Sequence, residues 1–133
     1  MNIAIYARNA QECPERIEHQ TNCGRAFATS QGWKVVGVFQ DDGFSGNNMN
    51  RPAWKRLTRL IRQGKVDAIV VQDRVRIARG FRAWRGASKR LDAAGIKLFS
   101  YSGEAAAAEL SAKRPPFSSD VLKLLRAHIA LDP

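Results

Sequence analysis

Ile3-Ala4-Ile5-Tyr6-Ala7 is a continuous apolar run close to the start of the chain. Such a run marks a strand covered on both faces rather than one lying half-exposed on a sheet surface. Outward from it the pattern alternates. Pro14 stands where it can open a helix, and Ile17, Gly24, Phe27 and Ala28 recur at helical spacing until Gly32 stops it. Residues 33–39 read as a second strand, and residues 41–48 as a loop by composition. Pro52 opens another helix, with Ala53, Leu57, Leu60 and Ile61 on one face and Gly64 at its close. Ala68-Ile69-Val70-Val71 is a third strand, short and β-branched. Trp84, Ala87, Leu91 and Ala94 give a further helix ended by Gly95, and residues 96–101 a fourth strand. Strands alternating with helices predict an α/β domain with a largely parallel central sheet of four to five strands flanked by helices. In such sheets the working groups collect at the carboxyl ends of the strands. Here those ends hold Arg8, the 41–48 loop and residues 73–79.

The chain has 133 residues, one domain's worth, and 44% of them are hydrophobic, enough for a real core. No stretch approaches the roughly 18 apolar residues of a membrane span, and no signal peptide opens the sequence. A cytoplasmic location with Cys13 and Cys23 as reduced thiols is therefore expected. Beyond Gly103 the pattern weakens to a short helix at 105–108, a break at 113–116 and a last helix. Ser118 or Ser119 would cap that helix, with Val121, Leu122, Leu125 and Ile129 on its apolar side. The expected division is a domain at 1–103, then a linker and the start of a C-terminal helix at 104–133, with no DNA-reading module.

Charge is concentrated. The net charge is +10, yet residues 51–97 carry 14 Lys or Arg against Asp67, Asp73 and Asp92 alone, a local net of +11. One basic surface of this kind fits a polyanion, most simply nucleic acid, and fits a plain solvated face less well. Arg74, Arg76, Arg79, Arg82, Arg85 and Arg90 fall with Lys89 in one short stretch. Arginine is favoured over lysine where planar, bidentate phosphate contacts matter. Interleaved Val75, Ile77, Phe81 and Trp84 would anchor that stretch to the core and aim the guanidiniums outward. Other chemistry is sparse. There is no phosphate-binding glycine loop and no Cys-x-x-Cys, and His19 and His128 have no ligand partners at metal spacing. Asp41-Asp42 reads first as a pair of turn formers.

Seven short motifs then stand in one order. They are Tyr6-Ala7-Arg8, Ile17-Glu18-His19-Gln20 with Cys23, Gly32-Trp33-Lys34-Val35-Val36, Asp42-Gly43-Phe44-Ser45-Gly46, Asn50-Arg51-Pro52-Ala53, Gly64-Lys65-Val66-Asp67 and Arg76-Ile77-Ala78-Arg79. In that order and spacing the chain resembles the N-terminal catalytic domain of the serine recombinases, the resolvases, invertases and large serine integrases. The resemblance implies a resolvase-like α/β fold and metal-free, cofactor-free strand exchange on DNA. A serine hydroxyl attacks a backbone phosphodiester, and fixed cations hold the growing negative charge. By motif position Arg8, Arg76 and Arg79 match the phosphate-clamping arginines, and Arg51 a further active-site or DNA-contacting one. Gln20, Asp42 and Ser45 match polar positions around that site, and Arg74 and Arg82 add phosphate contacts from the basic stretch.

Two departures bear on activity. Ala10 stands where the family carries its nucleophilic serine, and Val75 where it carries an aspartate. The expectation is a DNA-binding recombinase-like domain impaired in strand cleavage, working as a homodimer or as a heterodimer with another recombinase. The alternatives are an active recombinase with an unorthodox nucleophile, or an interaction protein that pairs with an intact recombinase.

Overall fold

The computed structural model of the chain describes residues 1–102. The helices expected at 105–108 and after Ser119, His128 and the division at 103 lie outside the described residues. Within them run β1 (Asn2–Asn9), α1 (Pro14–Gln31), β2 (Lys34–Asp42), α2 (Pro52–Arg62) and β3 (Ala68–Val71). A single 3₁₀ turn (Arg74–Arg76), α3 (Phe81–Ala93) and β4 (Lys97–Ser100) follow. The strands form one four-stranded sheet in the order β2-β1-β3-β4. Every pairing is parallel, so the α/β reading holds and the sheet is parallel throughout its described strands.

Burial follows from that order. β1 and β3 are central, and from Ile3 to Asn9 and from Ala68 to Val71 every residue is buried. Alternate side chains then serve two cores. Ile3, Ile5, Ala68 and Val70 face α1, packing with Cys23, Phe27 and Ala28. Ala4, Tyr6, Ile69 and Val71 face the other way, onto Ala53, Trp54 and Leu57 of α2 and Ala87 and Leu91 of α3. α1 lies so close to the sheet that a Cβ on Gly24 would come within 2.9 Å of the Ile5 side chain. Pro14 occupies the first turn of α1, and Gly32 ends the helix with a left-handed φ of 73° that other residues rarely adopt.

Three differences from the sequence pattern have physical causes. β2 runs on to Asp42 because Asp41 is buried at its end as an acceptor rather than turned toward solvent. Trp54, off the expected stripe of α2, is buried edge-on against Tyr6 with ring centres 5.2 Å apart. Phe81 is no anchor: it is the first residue of α3 and points into solvent.

Leu57 is fully buried in the α2 and α3 core, whereas Arg56 beside it is exposed. Leu57→Ala is expected to destabilise by about 2–5 kcal/mol, and Arg56→Ala by less than about 0.5 kcal/mol. Urea titrations of both variants measure this; equal midpoints would contradict the packing described.

Candidate functional site

Because the sheet is parallel, the loops after β1, β2 and β3 emerge at one edge. The chain leaves β1 to one side toward β2 and leaves β3 to the other toward β4. The crevice between β1 and β3 is therefore the topological switch point, where open α/β sheets hold their ligands.

The end of β1 is pinned from α1. Gln20, buried, accepts from the Arg8 amide at 3.2 Å and donates to the Arg8 carbonyl at 3.3 Å and to Asn9 Oδ1 at 2.9 Å. Asn9 in turn donates to the Cys13 carbonyl at 3.1 Å and to Asp42 Oδ1 at 3.3 Å. Asp42 also accepts from the Cys13 amide at 2.8 Å, and the Asn9 carbonyl accepts from the Gly43 and Phe44 amides. The short loop carrying Ala10 is thus held at both ends. Its Ala10 methyl is exposed.

Beneath that loop lie two buried guanidiniums. Arg8, 2% exposed, donates to the carbonyls of Phe44, Val75 and Arg76 at 2.8–2.9 Å. Arg51, fully buried, donates to Tyr6 Oη at 2.8 Å, to the Arg76 carbonyl at 3.0 Å and to the Ile77 carbonyl. It also reaches Met49 Sδ at 3.2 Å and lies over the Tyr6 and Trp54 rings. Tyr6 Oη donates to Asp41 Oδ2 at 2.7 Å, and Asp41 accepts from the Ala53 and Trp54 amides at 2.9 and 3.0 Å. Asp41 therefore caps α2 from β2 and sits one hydroxyl away from Arg51.

Electrostatics follow from this crowding. Burial first, then repulsion from Arg51 and Arg76, brings the Arg8 guanidinium down to about 10. Burial also lowers Arg51, with Tyr6 and Asp41 opposing. Burial raises the Tyr6 phenol far above its ordinary range, Arg51 opposing and the hydrogen bond to Asp41 adding to the rise. Tyr6 is a neutral relay between charges, closed to nucleophilic work.

The outer rim differs. Arg76 is half-buried, donating to the Arg8 carbonyl at 2.9 Å with its Nε 3.5 Å from Asp73 Oδ1. Arg74, Arg79 and Arg82 are exposed. The Arg79 amide donates to the Gly46 carbonyl at 3.0 Å. A Cβ on Gly46 would lie 2.7 Å from both Arg79 Cβ and Arg8 Nη2, so only glycine lets that loop close over Arg8. Ser45 is exposed beside it, its Oγ accepting from the Asn47 amide at 3.1 Å. Val75 serves through its backbone, its amide donating to Asp73 and its carbonyl accepting from Arg8.

The sequence-derived residues thus fall into two layers. Arg8, Gln20, Asp42 and Arg51 build the floor and the loops, and Arg76, Arg79, Ser45 and Ala10 line the rim. Arg74 lies against Trp84 of α3, and Arg82 stands in the groove between α2 and α3. Sequence reasoning took Tyr6 only as part of a motif and Asp41 first as a turn former, and missed the bond between them. A tyrosine inside an apolar strand was the available signal, because a buried phenol needs a polar partner. Among the described residues no cluster of three or more His, Cys, Asp or Glu side chains is placed to hold a metal ion. None of the described helices is long and apolar enough to cross a membrane. No disulfide joins Cys13 and Cys23, and Cys23 Sγ lies 3.6 Å from His19 Nε2.

Fold and crevice together define a doubly wound parallel α/β domain with an arginine-lined switch point. The family model described as Resolvase, N terminal domain, matches residues 3–126, and the chain belongs to that family. Among solved structures it is similar to the N-terminal catalytic domain of TP901-1 integrase, at 26% identity and a TM-score of 0.70, covering 84% of this chain and 90% of that one. The C-terminal catalytic domain of ISC1926 TnpA, an IS607-like serine recombinase, shares the fold over 98% of both chains at 24% identity and a TM-score of 0.72. A resolvase family site-specific recombinase from Streptococcus pneumoniae shares it over 98% of this chain and 91% of that one, at 21% identity and a TM-score of 0.65. No curated protein matches the chain.

Tyr6→Phe removes the hydroxyl that joins Asp41 to Arg51 and is expected to cost about 1–3 kcal/mol. Asp41→Ala also uncaps α2 and leaves a buried cation further from any carboxylate, for about 3–5 kcal/mol. Chemical denaturation gives both values. A Tyr6→Phe variant as stable as the parent would show that the relay contributes nothing.

Proposed function

We propose that this chain is a resolvase-family domain that contacts DNA in site-specific recombination without cutting strands itself. The observation that carries the reading is Ala10, an exposed methyl at the tip of β1 in a loop held by Gln20, Asn9 and Asp42. A methyl group has no lone pair with which to attack phosphorus. Tyr6 is buried in its relay, and Ser45 stands on a different loop. Phosphate contact is a separate matter, and the exposed guanidiniums of Arg74, Arg79 and Arg82, with the half-buried Arg76, support it. Arg8 and Arg51 shape the crevice by holding its carbonyls. The domain acts as a subunit alongside a copy of itself or another recombinase. Val75 adds to the loss, because a carboxylate in general acid–base work contributes about 10²–10⁴ in rate.

Incubation with supercoiled and suicide-nicked DNA is expected to yield no covalent protein–DNA species, either from the chain itself or from Ala10→Ser alone. Ala10→Ser combined with Val75→Asp is the smallest change expected to restore an adduct. An adduct formed by the unaltered chain, mapped by peptide mass, would overturn the reading and name the nucleophile.

Non-covalent binding is expected to weaken with salt at a log–log slope of about −3 to −5, as three to six phosphate contacts dictate. Arg79→Ala and Arg82→Ala should each flatten that slope by about one and leave duplex sequence preference unchanged. Anisotropy titrations on two unrelated duplexes measure both effects, and salt-independent binding would assign the basic segment to a protein partner instead.

A further inference from the structure

Phe81 is 77% exposed. Met1, at 44%, is the one other large hydrophobic residue standing open among the described residues, and it is the chain's first. Phe81 instead begins α3, directly after the strand-end segment that carries Arg74, Arg76 and Arg79. Trp84 and Arg85 follow it at i+3 and i+4, on the same side of the helix. Arg74 lies with its guanidinium 5.6 Å from the centre of the Trp84 ring, which ties the segment after β3 to that side. Arg74, Arg79, Arg82 and Arg85 are all exposed. The first turn of α3 holds no acidic residue, and no side chain caps it.

An open aromatic ring among guanidiniums selects its partner. A purely apolar surface would cover the ring and strip water from the arginines without replacing it. A ligand that offers a flat π-face and a phosphate within one repeat unit satisfies both groups. A nucleotide does so, provided its base is not already stacked inside a duplex.

We infer that Phe81 is a stacking platform for an unpaired base, so that the domain holds single-stranded or locally opened DNA by its bases as well as its phosphates. The inference rests on the DNA-contact reading above and adds the state of the DNA. Arg74 and Arg85 then take the flanking phosphates, and the rim arginines follow the backbone toward the crevice.

The test compares three fluorescent probes with the whole chain: a thymine oligonucleotide of about 15 nucleotides, an abasic oligomer of the same length, and a duplex. Stacking at one base is expected to make the thymine oligomer bind roughly 5- to 150-fold tighter than the abasic one. Phe81→Ala and Phe81→Leu should lose that margin, whereas Phe81→Tyr, which keeps the ring, should retain it. Duplex binding should change by less than about twofold in all three variants, since phosphate contacts are untouched. The side chain is solvent-exposed, so thermal melts should match the parent. Equal affinity for thymine and abasic oligomers, or full retention by Phe81→Leu, would overturn the stacking role and leave phosphate contact standing. Binding to neither single strand nor duplex would overturn both.

Discussion

Strands that end together at one edge leave carbonyl groups there with no further ladder to join, and buried carbonyls need donors. In this domain two buried arginines supply them. Arg8 takes the carbonyls of Phe44, Val75 and Arg76, and Arg51 takes those of Arg76 and Ile77. The loop after β2 and the turn after β3 are thereby fixed to β1 and to the start of α2. A rigid guanidinium fork suits the task, since one side chain can satisfy several acceptors at once. The shape of the crevice floor, and the place of the segment from Val75 to Ile77, depends on those bonds.

Such an arrangement has an electrostatic consequence. Most buried cations are neutralised by a carboxylate, but here carbonyl dipoles do much of the work, and Asp41 is reached only through the Tyr6 hydroxyl. Less of the positive charge is cancelled locally. Positive charge left uncancelled in this way adds to that of the exposed arginines on the same face of the chain.

Much of this was legible in the sequence, for reasons that can be named. β1 and β3 could be read because both faces are covered, leaving unbroken apolar runs, and α1 because Pro14 and Gly32 punctuate it. The far end of β2 could not, since Asp41 and Asp42 have the composition of a turn and only tertiary partners hold Asp41 extended. Trp54 is buried by Tyr6, a contact between residues far apart in the chain. The arginines were legible as a group but not as two layers. Motif position gives Arg8, Arg51, Arg76 and Arg79 one chemical character, and only three-dimensional packing sorts those facing carbonyls from those facing water. Phe81 misled for a related reason: an apolar residue interleaved among arginines reads as an anchor, but the sequence does not say whether a neighbour covers it.

Val75 is bonded into the fold through its amide and its carbonyl, and Ala10 presents its methyl to solvent. The hydrogen bonds made by Val75, and the exposure of Ala10, do not depend on which side chain stands at either position. Substitution at either position therefore leaves in place the bonds that Arg8, Gln20 and Arg51 make with their side chains.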